Sequence, residues 1–220
     1  SVTNPQLRVT ADGAPATGIT LDARLSDLAL LVPEFPGAVA VSGTVREQGP
    51  SFAVDLRATA PGSTDLRIAG TAARDGSTSD LAITGSADSA LANTTLRTRS
   101  VSGPLAINLR MQGPPSVQAL SGTVRLQNGQ LADPGLGLRL EGIDVTAAFQ
   151  SGRLQIDGGA NVAAGGRLTL SGPVDLGSGA IDIGVVLAQG VLRDPNLYQT
   201  TLDGNVRISG SGATGQLISG

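Results

Sequence analysis

Side chains suited to catalysis are scarce in this chain. Its 220 residues include no histidine and no cysteine, and its glutamates are Glu34, Glu47 and Glu141. Serine–histidine catalysis and most zinc sites are therefore excluded, because histidine is the commonest general base and a frequent zinc ligand. A glycosidase with two carboxylates would have to use aspartates, but these are spread along polar faces and turns. The sequence predicts no enzyme, no cofactor and no metal site.

The charge composition argues against nucleic acid as a partner. All 15 basic residues are arginine, the formal net charge is -3, and only 2% of the residues are aromatic. Binding a phosphate backbone requires a basic face, and single-strand binding also uses aromatic stacking platforms. Because the chain has neither, we expect no nucleic-acid partner.

A five-residue phrase, in which two aliphatic residues alternate with any residue before a final glycine, recurs along the chain. Alternation places both aliphatic side chains of a copy on one face of a sheet, and glycine permits a turn with positive φ or a bulge. Each copy therefore predicts a strand that ends in a turn. The copies lie at Val39–Gly43, Leu66–Gly70, Leu81–Gly85, Leu109–Gly113, Leu138–Gly142, Leu154–Gly158, Leu168–Gly172 and Val206–Gly210.

Short antiparallel strands account for most of the remaining pattern. Period-two alternation predicts about 16 strands, including one at Thr94–Val101, with a break at Asn128-Gly129. The spacing of Leu25, Leu28 and Leu31 predicts one short helix near residues 26–32. We therefore expect an all-β fold that forms a single repetitive domain over residues 1–220.

In the second half of the chain the alternation is regular enough to name one aliphatic face. A slip of one residue in strand pairing would exchange the two faces of the sheet, so this assignment depends on the register. The predicted face residues are Leu138, Leu140, Leu154, Ile156, Leu168, Leu170, Ile181, Ile183, Val185 and Leu187.

The predicted sheet is too wide to leave its aliphatic face bare. About 16 strands spaced roughly 4.8 Å apart would extend on the order of 75 Å, and few aromatic side chains are present to fill a core. Either the sheet folds over on itself, or something other than protein covers the face.

Three segments resemble the C-terminal region of the TamB family, which belongs with the AsmA-like bridge proteins. They are Leu25–Val45, Gly137–Leu176 and Val191–Gly212, the last containing the step Asp194–Tyr198. The resemblance implies an elongated, curved antiparallel sheet, a β-taco, that encloses an apolar groove. It also implies that the groove carries phospholipid acyl chains between the inner and outer membranes, with the predicted face residues as its lining.

The resemblance carries further expectations about the protein's surroundings. It implies a periplasmic location, an inner-membrane anchor outside this sequence, and an outer-membrane barrel partner of the TamA type. Since the chain begins within a strand-like pattern at Leu7 and Val9 and stops at Gly220, we expect it to be a piece of a longer protein.

Two other functions are compatible with the same alternation. An open sheet edge or the groove could receive strands of outer-membrane β-barrel clients by augmentation, as a chaperone would. Alternatively, the alternating residues could fill a closed β-solenoid in an adhesin or autotransporter passenger.

Overall fold

A computed structural model describes residues 2–3, 6–14, 17–30, 37–94, 96, 98–194, 198–211 and 215–219. They form a single open sheet of 16 strands, and every pairing is antiparallel. The all-β prediction and its strand number are therefore confirmed. The strands are β1 (Val2–Thr3), β2 (Leu7–Ala14), β3 (Gly18–Leu25), β4 (Val39–Gln48), β5 (Ser51–Ala60), β6 (Thr64–Ala73), β7 (Ser79–Asp88), β8 (Ser100–Ser102), β9 (Pro104–Gly113), β10 (Leu120–Asp133), β11 (Leu138–Gln150), β12 (Arg153–Val162), β13 (Arg167–Asp175), β14 (Ile181–Asp194), β15 (Tyr198–Ser211) and β16 (Gly215–Ser219).

Spatial order in the sheet follows sequence order, so the fold is one long meander. The short strand β8 is the exception, because it pairs with β10 beyond the end of β9. All substantial contacts between strands join neighbours in the sheet. Within the described residues, no second layer covers either face.

The strand ends define two rims of the sheet. The upper rim is the end where β3, β5 and β7 finish, and the lower rim is the end where β4, β6 and β9 finish. A 3-10 helix at Leu28–Leu30 follows β3, and another at Ser89–Thr94 follows β7. Along the upper rim, Gly37 lies against Pro61 and Gly62 lies against Leu91. This rim is therefore bordered by packed connections.

The helix predicted near residues 26–32 is confirmed as the 3-10 turn at Leu28–Leu30, and residues 31 and 32 lie outside the described residues. The Asp27 carboxylate accepts hydrogen bonds from the N–H groups of Gly37 (2.7 Å) and Ala29 (3.0 Å). These bonds hold the pKa of Asp27 below its ordinary value. The strand predicted at Thr94–Val101 is wrong, because its described part is mostly helical turn and loop before β8.

The glycines of the repeated phrase do not end strands in turns, and that prediction is wrong. Only Gly113 is the last residue of its strand, whereas Gly43, Gly70, Gly85, Gly142, Gly158, Gly172 and Gly210 lie inside strands. Gly85 has φ +147°, and a Cβ there would lie 2.0 Å from the carbonyl oxygen of Asp65 on β6. Glycine lets the strands approach and bend at this position where a side chain would collide.

The break predicted at Asn128-Gly129 is also wrong, because these residues form a bulge inside β10. Asn128 has φ +48°, and its N–H donates to Asp144 Oδ1 at 2.9 Å. An equivalent bulge lies in β14, where Gln189 has φ +53° and its backbone N–H donates to Asp203 Oδ1 at 2.7 Å. Both bulges occur within the same nine-residue phrase, LxxGxLxDP. The phrase therefore marks a bulge in the final stretch of a strand, which continues past the glycine and ends at the aspartate, Asp133 in β10 and Asp194 in β14.

The protein core is small. Leu140, Ile143 and Ala160 are the buried hydrophobic residues, and no side chain in the described part of the chain is fully buried. The accessible surface is 13224 Å² for a mass of 21.9 kDa. A compact protein of that mass would expose about 9,300 Å². The excess of roughly 3,900 Å² follows from a single curved layer without a covering partner.

Candidate functional site

The candidate site is the aliphatic face of the sheet. Strand pairing aligns one residue from each of 13 neighbouring strands, β2–β7 and β9–β15, in a line that crosses the strands and contains only apolar residues and glycine. This line is called the central row. Its members are Ala11, Leu21, Gly43, Leu56, Ile68, Ile83, Leu109, Gly122, Phe149, Leu154, Val174, Ile181 and Gly210.

A second apolar row runs beside the central row, two residues along each strand. It joins 11 strands, from Val9 in β2 to Gly172 in β13. Its other members are Ala23, Val41, Ala58, Leu66, Gly85, Ile107, Val124, Ala147 and Ile156. No polar side chain interrupts either row, so the face is apolar across most of the sheet.

All ten predicted face residues lie on this aliphatic face. Leu168 pairs with Leu187, and Leu170 pairs with Val185. The pairing of β12 with β13 and of β14 with β15 then aligns these residues with the other apolar residues of the face. None of the ten is exposed, whereas the intervening Arg153, Gln155, Asp157, Arg167 and Thr169 are exposed. The register therefore places the two sets on opposite faces.

Two of the ten residues are covered by the chain's own side chains. Leu140 is 9% exposed and belongs to the small core with Ile143 and Ala160, against which Leu138 also packs. This core lies at the upper rim, where the bulges of β10 and β11 bend the sheet. The other eight residues are half-buried by their neighbours on the face.

The ten face residues named from the sequence do not include any from the N-terminal half of this face. Leu56, Ile68, Ile83 and Leu109 stand in the central row with Leu154 and share its half-buried state. The signal was present, because three copies of the five-residue phrase precede residue 90. Their pairing to one another depends on register, which alternation alone does not give.

The opposite face is polar and carries arginine–aspartate pairs. Nε and Nη2 of Arg110 donate to Asp80 at 2.7 Å each, and those of Arg207 donate to Asp182 at 2.6 Å each. Arg57 pairs with Asp65, and Arg67 with Asp55, in the same two-bond geometry. Arginine hydrogen bonds hold the pKa of each of these aspartates below its ordinary value.

Among the strand residues whose side chains the structure describes, only two charged ones stand on the aliphatic face. Glu47 lies at the lower rim, aligned with Phe52, and Asp133 lies at the upper rim, aligned with Leu138. An arginine from outside the strands pairs with each acid, Arg74 with Glu47 and Arg99 with Asp133 (2.6 Å). Both charges are therefore neutralised where they approach the hydrocarbon.

The described residues contain no group of acidic side chains arranged to hold a metal ion. None of their helices is long and apolar enough to cross a membrane. The feature that they do form is a long apolar surface.

No protein-family model, no curated protein and no solved structure matches this chain.

Proposed function

We propose that this protein is a non-enzymatic lipid conduit of the TamB type, whose aliphatic face binds the acyl chains of phospholipids. The central row carries the proposal, because it runs through 13 strands without a polar residue. At about 4.8 Å per strand it extends roughly 58 Å, far longer than a bilayer's hydrocarbon core of about 30 Å. Chains on such a surface meet no fixed polar anchor at which to stop.

The chemistry of the face favours a hydrocarbon ligand over a polypeptide. A polypeptide laid along the rows would bring backbone N–H and C=O groups that need partners away from water. The central row supplies no side-chain donor or acceptor, and its only aromatic residue is Phe149. Protein-binding surfaces usually rely on tryptophan, tyrosine or arginine anchors. An acyl chain has no polar group to satisfy.

The same face is most open toward the two ends of the sheet. Leu7 in β2 is 38% exposed and Val206 in β15 is 39% exposed, whereas the large aliphatic side chains of the central row between them, such as Leu56, Ile83 and Leu154, are half-buried. A chain could therefore enter or leave the face at either end. This arrangement suits a path better than a closed binding pocket.

The location and partners are part of the proposal and come from the sequence resemblance. We place the chain in the periplasm, within a longer protein anchored in the inner membrane. A TamA-type barrel of the outer membrane would be its partner. The biological role would be the supply of phospholipid for outer-membrane biogenesis.

A charge on the aliphatic face tests the proposal. In Leu170→Asp, an acyl chain loses its apolar contact with one strand of the face, a distance that about four methylenes span. Burying a methylene completely is worth about 0.8 kcal/mol, and a chain lying on the face is covered on one side only, so the loss is about 1.5 kcal/mol. Affinity for a fluorescent fatty acid should fall about tenfold. Thr169→Asp, on the opposite face of the same strand, is the matched control. Equal binding by both variants and the wild type would refute the proposal.

A second candidate function, as a chaperone for β-barrel proteins, is favoured by the unclosed sheet. Because β1 and β16 are edge strands, each has a side available for pairing with a client strand. Photocrosslinking in cells from position 156 on the aliphatic face separates the two functions, with position 155 on the opposite face as control. Lipid at position 156 supports the conduit, and client polypeptide there supports the chaperone.

The β-solenoid alternative does not fit the observed topology. Solenoid rungs stack in parallel around a filled interior, whereas every pairing here is antiparallel and the sheet is open.

A further inference from the structure

The two acids on the aliphatic face differ in how far they are covered. The Asp133 side chain is 7% exposed, so it is closed off beneath Arg99. The Glu47 side chain is 30% exposed at the lower rim, next to the β4–β5 turn. Of the two, only Glu47 is placed where a ligand's polar end could meet it.

Arg74 holds Glu47 from the turn between β6 and β7. Its guanidinium forms an ion pair with the Glu47 carboxylate and lies 5.8 Å from the centre of the Phe52 ring. Its backbone N–H donates to the carbonyl of Pro50 at 3.2 Å, which ties this turn to the β4–β5 turn. The arginine side chain thus lies against the more accessible acid of the face.

A hydrocarbon face with its charge neutralised has little basis for selecting a headgroup. Acyl chains would lie along the apolar rows, while their headgroups stay in water at the open side. An unpaired Glu47 would repel an anionic headgroup passing the lower rim, and an unpaired Arg74 would attract it. When the two residues are paired their charges cancel, so the lower rim neither repels nor attracts an anionic headgroup.

We propose, building on the proposed function, that the face selects lipids by their hydrocarbon chains, and that the Glu47–Arg74 pair keeps it indifferent to headgroup charge. The ligand class is therefore linear-chain amphiphiles with either zwitterionic or anionic headgroups. Chain length, through the number of methylenes covered, governs affinity.

Competition between two lipids with identical chains tests this inference. The full chain is incubated with an equimolar mixture of dioleoyl phosphatidylcholine and dioleoyl phosphatidylglycerol, and the bound lipids are counted by native mass spectrometry. The wild type should bind both equally, within about twofold. Arg74→Gln should lower the bound phosphatidylglycerol-to-phosphatidylcholine ratio about two- to fivefold, the effect of one charge at about 4–8 Å in water. Glu47→Gln should raise the ratio by a similar factor.

The controls separate this inference from the proposed function. The double variant Arg74→Gln/Glu47→Gln should restore the wild-type ratio, and Arg110→Gln, which breaks a pair on the polar face, should leave it unchanged. A wild-type ratio clearly beyond about twofold, or single variants that leave the ratio unchanged or shift it in the same direction, would overturn the inference while lipid binding stands. If neither lipid is retained by the wild type, the proposed function fails and the inference falls with it.

Discussion

Replacing a glycine inside a strand gives the sharpest test of how this sheet is built. In Gly85→Ala, the new Cβ would lie 2.0 Å from the Asp65 carbonyl oxygen and 2.9 Å from the Leu66 Cα. Both atoms belong to the backbone of β6, so a change of side-chain rotamer cannot relieve the contact. The two strands must move apart, or the backbone must leave its φ of +147°.

Each of these responses has a known range of cost. An L side chain in a backbone region reserved for glycine costs about 1–3 kcal/mol, and overpacking costs about as much. Taken together, these costs lead us to expect that Gly85→Ala lowers the free energy of unfolding by about 3 kcal/mol. For a domain of this size, that corresponds to a fall in Tm of roughly 6–12 °C.

Thermal and urea unfolding, followed by circular dichroism, measure the effect. Gly204→Ala is the matched control, because no atom lies within 4 Å of its Cβ position. It should change stability by no more than about 1 kcal/mol, with stabilisation as the expected sign. If the two variants unfold at the same temperature, the glycines are not required by close strand approach, and our account of the repeated phrase is refuted.

Two further predictions concern polar contacts near the upper rim. Asp144→Ala removes the acceptor of the Asn128 N–H and should destabilise the protein by about 1 kcal/mol, measured by urea unfolding with Asp144→Asn as the conservative replacement. An unchanged midpoint in Asp144→Ala would contradict the role given to this bond. Arg99 lowers the pKa of Asp133 from its ordinary value of 3.8, chiefly by a hydrogen bond. This stabilisation is present above that value and is lost as pH falls through the lower folded pKa. The stability gap between the wild type and Arg99→Gln should therefore be widest near neutral pH and narrow below about pH 4. A gap that widens on acidification would contradict the assignment.

Alternation in the sequence was sufficient to predict the aliphatic face but not which of its residues stand side by side on neighbouring strands. Leu154, Ile156, Leu168 and Leu170 were placed correctly because period two separates the faces of any strand. The continuity of the central row was not predictable, because it depends on which residue stands opposite which. Pairing is a property of two strands, and a single strand's pattern does not contain it.

The glycines show a different limit of sequence reasoning. Gly85 and Gly113 end equivalent five-residue phrases, yet one lies within a strand and the other finishes one. The difference comes from the neighbouring backbone, since Asp65 approaches Gly85 while nothing lies within 4 Å of the Gly113 Cβ position. The position of Glu47 on the aliphatic face likewise depends on the neighbouring strand, because it follows from the pairing of Glu47 with Phe52.

The sequential pairing of the strands has a consequence for how the protein is assembled and how it can change. Because each strand contacts mainly the strands before and after it, stability is nearly a sum over neighbouring hairpins, as in repeat proteins. In the part of the chain that the structure describes, no distant segment has to return to close the fold, so strands can be added in order as the chain emerges from synthesis. Gaining or losing one hairpin would change the length of the apolar path by about 10 Å and leave the rest of the sheet in place. The span of the molecule can thus be tuned in hairpin-sized increments, with no new core required.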